Sequence, residues 1–247
     1  MAQIGLGEIE LNEDCYKTFI AGINQLNLNY PLDYLVGNVN FLGKNFLINE
    51  HTLIPREETE YFVKYLKEKG YCDGELLVDV GAGSGVIGIS MSHDFKRVIC
   101  TDISKEAISV CKQNTRLNGI NNLTCVVANC LDNKLLQDSI NEANDWSLVA
   151  NLPYLPIREK KEAYINKVSY EPDIALYSGK DGLDIFRVLV LQISQLKLPS
   201  VLMFELDPNN INKAYKMISD LGYNIRIIND IYGRCRFVIG QLKNAGV

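Results

Sequence analysis

The spacing of hydrophobic residues changes near residue 70 and divides this chain into two regions. Apolar and aromatic side chains at positions 16, 19, 20, 23 and 26 follow helical spacing. This pattern predicts one amphipathic helix from Asn12, the candidate N-cap, to about Leu26. Alternation from Tyr34 to Ile54, interrupted by two glycines, predicts a β-hairpin, and a second helix is predicted after Pro55, ending near Glu68.

Beyond a predicted linker at Lys69 to Gly74, short apolar runs alternate with segments of helical spacing. The runs that predict strands are Leu76–Val80, Val98–Asp102, Leu123–Ala128, Trp146–Asn151 and Val201–Leu206. The predicted helices are Val86–His93, Lys105–Leu117, Leu135–Ile140, Gly182–Leu196 and Asn209–Leu221. Such alternation predicts an α/β fold in which helices cover both faces of a parallel sheet.

The end of the chain breaks this alternation. Two apolar runs, Tyr223–Ile228 and Arg236–Gln241, are joined by a short turn that contains a glycine, which predicts a terminal antiparallel hairpin. The sequence therefore predicts a mostly parallel sheet with a C-terminal antiparallel hairpin. Residues 1–72 are predicted to form a small N-terminal helix and hairpin region, and residues 73–247 the main domain.

Composition narrows the class of protein. With 247 residues, 47% of them hydrophobic, the chain is long enough for one sizeable core. No apolar run approaches the roughly 18 residues of a membrane span, and Met1 to Glu10 has no basic and apolar signal pattern. We therefore expect a cytoplasmic protein without a membrane partner. A formal net charge of −5 argues against broad nucleic-acid binding, because phosphate contacts require basic side chains.

Cysteine and histidine usage argues against metal and triad chemistry. The seven cysteines form no C-x-x-C pair and lie mostly within apolar runs, as expected of reduced, buried thiols. Only two histidines are present, which leaves little for a transition-metal site or a Ser-His-Asp triad. No metal site is predicted.

A glycine-rich stretch follows the first strand of the main domain. Gly81, Gly83 and Gly85 alternate with Ala82 and Ser84, two residues after Asp79. Glycines accept positive φ angles and let the backbone approach a ligand at a helix N-terminus. This predicts a cofactor loop of the nucleotide type, with a plain strand-to-helix turn as the alternative. The spacing D-x-G-x-G-x-G differs from the dinucleotide fingerprint G-x-G-x-x-G and resembles the first motif of class I S-adenosylmethionine-dependent methyltransferases.

Polar residues also stand at the ends of the next two strands. Asp102, followed by Ile103, ends the second strand about twenty residues after the glycine loop, where a carboxylate accepts ribose hydroxyls. A helix-capping aspartate is the alternative interpretation. Asn129 and Cys130 follow the third strand, where an adenine would lie, although a plain turn explains them equally well.

The tetrad N-L-P-Y, Asn151 to Tyr154, follows the fourth strand directly. Ligands of open α/β sheets bind at the carboxyl ends of the strands, so the tetrad and the glycine loop should face one crevice. The Asn151 side-chain oxygen and the next backbone carbonyl can accept both N–H groups of a planar amide or amine. Positioned acceptors of this kind assist methylation of a poor nitrogen nucleophile, because the nitrogen gains positive charge. A turn with a core tyrosine is the alternative.

Several ordered motifs together resemble one methyltransferase family. They are I-P-R-E-E-T-E at 54–60, the glycine loop, the N-L-P-Y tetrad, Y-E-P at 170–172, G-K-D-G-L at 179–183, and Asp230 with Arg236. This set resembles the HemK/PrmC family of protein-(glutamine-N5) methyltransferases, which act on peptide-chain release factors. The resemblance implies a class I, Rossmann-like methyltransferase fold, S-adenosyl-L-methionine as cofactor with S-adenosyl-L-homocysteine as product, and a release factor as partner.

The resemblance also implies roles for individual residues. The implied cofactor-binding residues are Asp79, Gly81, Ala82, Gly83, Ser84, Gly85, Asp102, Ile103, Asn129, Cys130 and Asn151. Asn151, Leu152, Pro153 and Tyr154 would hold the target amide in the catalytic site. Arg56, Thr59 and Glu171 would lie on the substrate side.

Two residues depart from the family pattern. Leu152 replaces the first proline of the usual N-P-P-Y, and Cys130 replaces the usual aromatic residue beside the adenine. N-L-P-Y also occurs in adenine-N6 dimethyltransferases that act on ribosomal RNA. The alternatives are therefore an adenine-N6 nucleic-acid methyltransferase, a small-molecule N-methyltransferase, or a non-catalytic cofactor-binding module.

Overall fold

A computed structural model describes residues 12–160 and 170–243, and its strands form two sheets. The strands are β1 Asn38–Phe41, β2 Lys44–Leu47, β3 Gly74–Val80, β4 Phe95–Asp102, β5 Leu123–Val127, β6 Trp146–Asn151, β7 Val201–Glu205, β8 Tyr223–Asn229 and β9 Cys235–Leu242. The helices are α1 Glu13–Asn27, α2 Leu32–Val36, α3 Glu57–Glu68, α4 Val86–Met91, α5 Lys105–Leu117, α6 Lys134–Glu142, α7 Asp173–Leu176, α8 Asp184–Ser194 and α9 Ile211–Asp220. Short 3₁₀ turns lie at Ser92–Asp94, Ile157–Glu159 and Pro208–Asn210.

The main sheet has seven strands in the order β5-β4-β3-β6-β7-β9-β8. The five strands from β5 to β7 are parallel, and β9 pairs antiparallel with both β7 and β8. This confirms the predicted α/β fold with a mostly parallel sheet and a C-terminal antiparallel hairpin. The strand order reverses between β3 and β6, and a crevice forms at such a switch point.

The central strands of the sheet, such as β6 and β7, are buried on both faces because they are apolar at consecutive positions. On one face, Trp146, Phe186 and Phe204 are buried within a single apolar cluster. On the other face, Phe62 of α3 stacks on Phe237 of β9 with ring centroids 4.3 Å apart. Two covered faces are the expected arrangement for parallel strands whose crossover connections are helical.

The N-terminal region contains the predicted hairpin, but its first part is helical. Tyr34 lies in the five-residue helix α2, which begins after Pro31 and ends at Gly37 in the left-handed conformation, φ 76°. A helix of this length is too short to show a 3.6-residue periodicity, so the alternating pattern predicts a strand at Tyr34 where the structure has a helix. The hairpin itself covers β1 and β2, paired from Asn38 with Leu47 to Phe41 with Lys44.

A buried asparagine ties the hairpin to the main domain. The side chain of Asn114 on α5 donates to the carbonyls of Leu47 (2.9 Å) and Ser84 (2.8 Å) and accepts from the Leu47 N–H (2.7 Å). Buried polar groups of this kind are stable only when hydrogen-bonded. Asn114 therefore fixes the hairpin and the glycine loop relative to one another.

Other features of the described residues bear on the expectations from the sequence. Asn12 caps α1 by accepting from the Cys15 N–H at 2.8 Å, as predicted. All seven cysteines are free thiols.

Within residues 12–160 and 170–243, no helix has the length and apolar character needed to cross a bilayer. Met1 to Glu10, which show no secretory pattern, lie outside the described residues, and the cytoplasmic location stays a prediction.

Candidate active site

A cavity of about 380 Å³ opens at the carboxyl ends of β3, β4, β5 and β6, beside the point where the strand order reverses. Most of the residues predicted for the site line it. These are Thr59, Gly81, Ala82, Gly83, Ser84, Asp102, Ile103, Asn129, Cys130, Asn151, Leu152 and Pro153. Five other predicted residues, Asp79, Gly85, Arg56, Tyr154 and Glu171, do not line the cavity and support its walls instead.

The glycine loop turns from β3 into α4 through three residues with positive φ. These angles are 71° at Gly81, 55° at Gly83 and 83° at Gly85. A Cβ on Gly81 would lie 2.9 Å from the Leu152 side chain, whereas one on Gly83 would meet nothing within 4 Å. Gly85 packs inward, because its Cβ would lie 2.6 Å from the Cys111 sulfur. The loop thus brings its backbone to the cavity at Gly83 and anchors itself at Gly85.

We expect Gly85→Ala to destabilise the fold more than Gly83→Ala. Both variants place alanine in the left-handed region, which costs about 1–2 kcal/mol. The Gly85 variant also overpacks the contact with Cys111, which adds about 1–3 kcal/mol. Urea unfolding of both variants measures the difference, and equal losses of unfolding free energy would contradict this account of the loop.

Asp79 lies beneath the loop rather than in the cavity. Its carboxylate is fully buried and accepts from the Gly88 N–H at 2.8 Å, which holds α4 against β3. Gly88 is required there, because a Cβ would lie 2.5 Å from the Cys100 sulfur. Burial raises the pKa of Asp79 to about 7, although the Gly88 hydrogen bond opposes that shift.

Asp102 presents a carboxylate beside the loop. Its Oδ2 accepts from the Gly83 N–H and its Oδ1 from the Ser104 N–H, both at 2.9 Å. A carboxylate has about four lone-pair positions, so both oxygens retain capacity for ligand donors. Burial raises the pKa of Asp102, and these backbone hydrogen bonds oppose the rise. The side chain of Ser104 caps α5, so the capping role suggested as an alternative for Asp102 belongs to Ser104.

The wall after β5 is held by a residue that the sequence analysis missed. Gln192 of α8 accepts from the Leu131 N–H at 2.8 Å and donates to the Asn129 carbonyl at 3.3 Å. Between them, Cys130 has φ 55°, and its carbonyl accepts from the Thr101 hydroxyl. Burial raises the pKa of Cys130 to about 11, so its thiol is neutral at pH 7.

A chain of hydrogen bonds connects Asn151 to a buried carboxylate. The Asn151 Nδ2 donates to the Thr59 hydroxyl at 3.1 Å, and the Thr59 hydroxyl donates to Glu205 Oε2 at 2.8 Å. Asn151 and Glu205 end β6 and β7 at paired positions of the register. Glu205 was missed because an acidic residue at the end of an apolar strand is an ordinary feature of surface loops. We name this set the Asn151–Thr59–Glu205 chain.

Tyr154 packs behind the cavity against the C-terminal hairpin. Its hydroxyl lies 3.5 Å from Arg236 Nη1, and Arg236 Nε donates to Asp230 Oδ2 at 2.9 Å. Burial and the nearby Glu205 charge raise the pKa of Tyr154 to about 12, so its phenol stays protonated. The Tyr154 carbonyl also explains Gly182, where a Cβ would lie 2.0 Å from that oxygen.

Arg56 and Glu171 form an ion pair beside the cavity. Arg56 Nη2 lies 2.5 Å from Glu171 Oε1, and the second Glu171 oxygen accepts from the Ile54 N–H at 3.0 Å. The Glu171 side chain is 3% exposed and that of Arg56 33%. The pair fastens the segment that precedes α3 to the segment that precedes α7. Its position supports the wall that carries Thr59.

Glu171→Ala is expected to reduce stability by about 2–3 kcal/mol, because the arginine charge and the Ile54 N–H lose a buried acceptor. Glu171→Gln keeps an acceptor for Ile54 and should lose less. Thermal unfolding of both variants gives the comparison. A Glu171→Ala protein as stable as the parent would show that the pair is not needed to hold this wall.

Comparisons with solved structures agree on the fold. One match is the structure of the E. cuniculi Mtq2-Trm112 complex, described as responsible for the methylation of the eRF1 translation termination factor. It covers 78% of this chain and 99% of that chain, with a TM-score of 0.56 and 20% identity. The hMettl16 catalytic domain, solved with the MAT2A 3′UTR hairpin 6, matches 91% of this chain and 94% of that chain, with a TM-score of 0.61 and 14% identity. Both show the class I methyltransferase fold.

Sequence comparisons are more specific. A family model described as ribosomal protein L11 methyltransferase (PrmA) matches residues 58–178. The release factor glutamine methyltransferase of Deinococcus radiodurans is 30% identical, over 97% of this chain and 84% of that protein. That of Enterococcus faecalis is 32% identical, over 93% of this chain and 81% of that protein. With this identity across most of both chains, and with the cavity built as described, the chain belongs to the release factor glutamine methyltransferase family.

Proposed function

We propose that this protein transfers a methyl group from S-adenosyl-L-methionine to the side-chain amide nitrogen of a glutamine in a peptide-chain release factor. One observation carries the proposal: the Asn151 amide lies at the cavity, and its NH₂ group donates a hydrogen bond to the Thr59 hydroxyl. Its Oδ1 acceptor is thereby available for the N–H of a bound amide. Family membership supports the same reaction.

The cavity fits the cofactor in shape and chemistry. Asp102 offers carboxylate lone pairs to the ribose hydroxyls, and the open backbone at Gly83 leaves room for the carboxypropyl group. Apolar side chains suited to a purine ring complete the wall: Ile103, Ala128, Cys130, Ile185 and Val188. When bound, S-adenosyl-L-methionine supplies an electrophilic methyl group on a sulfonium and leaves as S-adenosyl-L-homocysteine.

The residues of the N-L-P-Y tetrad compensate for the low nucleophilicity of an amide nitrogen. The lone pair of an amide nitrogen is delocalised into its carbonyl, so the nitrogen must pyramidalise to attack. Asn151 Oδ1 and the Leu152 carbonyl accept its two N–H groups and stabilise the positive charge that develops. The new N–C bond forms as the S–C bond breaks, and the nitrogen then gives up one proton to water. Pro153 favours an extended backbone at Leu152, which keeps the Leu152 carbonyl directed toward the substrate amide.

The proposed acceptor is the glutamine of a Gly-Gly-Gln loop. Two glycines before the glutamine let an exposed loop enter a narrow site with little steric cost. The formal charge of −5 disfavours a nucleic acid as the substrate, since binding would lack broad phosphate neutralisation. Adenine also offers two N–H groups on a planar system, so the experiment must separate these substrates directly.

The test is mass spectrometry of a release factor incubated with the enzyme and S-adenosyl-L-methionine. We expect one added methyl group on the glutamine of its Gly-Gly-Gln loop. The matched control is a release factor with that glutamine replaced by alanine, which should stay unmodified. An unmodified factor, together with methylated RNA or a methylated small amine in parallel reactions, would overturn the proposal.

A further inference from the structure

We infer that Thr59 and Glu205 are positioning residues that set which end of the Asn151 amide faces the bound substrate. Neither would react with the substrate itself. The catalytic consequence rests on the proposed function, whereas the hydrogen-bond arrangement can be tested without it.

The geometry leaves little freedom to the Asn151–Thr59–Glu205 chain. Thr59 is 3% exposed and Glu205 1% exposed, so water does not compete strongly for their hydrogen bonds. Parallel register places Asn151 and Glu205 side by side at the ends of β6 and β7. The hydroxyl of Thr59, in the first turn of α3, lies between their side chains.

Counting protons fixes the direction of these bonds. A threonine hydroxyl has one proton, and an ionised glutamate only accepts. Thr59 must therefore donate to Glu205, which leaves its oxygen to accept from Asn151 Nδ2. The amide is thus oriented with NH₂ toward Thr59 and with Oδ1 on its other side. An asparagine without this constraint could present either end to the cavity.

The charges around Glu205 determine when this direction holds. Burial raises the pKa of Glu205 to about 7, whereas the Thr59 hydrogen bond and the nearby Arg236 and Arg56 lower it. Glu58 also raises the pKa, and the partly buried Tyr154 phenol lies near the same carboxylate. When Glu205 is protonated it can donate to Thr59, whose own proton can then turn to Asn151 Oδ1. The reversed amide would present N–H groups to the N–H groups of the substrate.

The first test separates turnover from binding. Thr59→Val keeps the side-chain shape but removes the hydroxyl, and we expect kcat to fall about ten- to a hundredfold, as for small misplacements of a reacting group. The dissociation constant of S-adenosyl-L-methionine should change less than twofold. Thr59→Ser should restore most of the lost kcat. Thr115→Val, which removes another buried hydroxyl that donates to Cys111 outside the cavity, is the matched control and should leave kcat unchanged.

The second test is the dependence of kcat on pH. The parent enzyme should lose kcat as the pH falls through the range near 7 in which Glu205 becomes protonated. Glu205→Gln removes this titration and leaves that of Asp79 in place, so we expect a lower kcat that falls less steeply between pH 8 and 6 than the kcat of the parent. A Thr59→Val enzyme with parental kcat and a parental acid limb would overturn the inference.

A third measurement does not depend on activity. In ¹⁵N-labelled protein, the side-chain NH₂ resonances of Asn151, assigned by comparison with Asn151→Asp, should shift as the pH falls through 7. They should not shift with pH in Thr59→Val or Glu205→Gln. If the release factor stays unmethylated but these shifts are seen, the proposed function fails and the positioning chain stands. If the chemical shifts of the Asn151 NH₂ group change neither with pH nor with these substitutions, the inference is overturned whatever the substrate.

Discussion

Asn151→Ala is expected to lower kcat about 10²- to 10³-fold, the usual loss when one preorganised polar contact to a transition state is removed. The variant loses the acceptor for a substrate N–H at the moment when the nitrogen gains positive charge. It also leaves Thr59 without its donor. Because Asn151 ends β6 and is only partly buried, its truncation should have little effect on folding.

Single-turnover methylation of the release factor under saturating cofactor measures this loss. Asn118→Ala is a matched control, because Asn118 is also partly buried and hydrogen-bonded, to the Asn45 carbonyl, but lies outside the cavity. It should keep parental kcat. An Asn151→Ala enzyme within threefold of the parent would refute the catalytic role of the tetrad.

The second large effect concerns the cofactor. Asp102→Ala should weaken the binding of S-adenosyl-L-methionine and of S-adenosyl-L-homocysteine equally. We expect each to lose about 1.5–3 kcal/mol of binding free energy, because hydrogen bonds to a charged acceptor are lost. This corresponds to roughly ten- to a hundredfold in affinity. The variant also removes the acceptor for the Gly83 N–H, so the loop loses a contact that shapes the cavity.

Isothermal titration calorimetry measures both affinities. Asp102→Asn keeps one acceptor oxygen and should lose less, and Asp132→Ala, an exposed aspartate not in the cavity lining, should lose nothing. Because burial raises the pKa of Asp102, the affinity of the parent should fall as the pH is lowered through that pKa, while Asp102→Ala should show no such dependence. Tight NAD binding without S-adenosyl-L-methionine binding would contradict the assignment of the cavity.

The sequence predicted the sheet and the glycine loop well because both are local patterns. The strands of the parallel sheet contain short apolar runs, and for Trp146–Asn151 the structure reproduces the predicted range unchanged. The loop was predicted because its glycines and the flanking strand and helix lie within fifteen residues. The carboxyl ends of parallel strands share one edge, which placed Asp102 and Asn151 in one crevice.

The remaining features depend on tertiary contacts that leave no local pattern. Thr59 lies 92 residues from Asn151 and 146 from Glu205, and no periodicity connects such distant positions. Gln192 is likewise distant in sequence from its partner. It accepts from the Leu131 N–H after β5, but it lies on a helix that begins more than fifty residues after that strand ends. The roles predicted for Arg56 and Glu171 on the substrate side stay predictions, and the structure adds that these residues pair with each other.

The placement of β9 between β7 and β8 has a consequence for folding. Until residues 235–242 are synthesised, β7 is an edge strand with unpaired backbone groups. This is the strand that carries Glu205. Such an edge is open to pairing with other chains. The strand β9 also supplies Arg236, which lies near Glu205 and binds Asp230, and Phe237, which shares a buried cluster with Ala82 of the glycine loop. Both the edge of β7 and these contacts of the site are therefore completed only when β9 pairs.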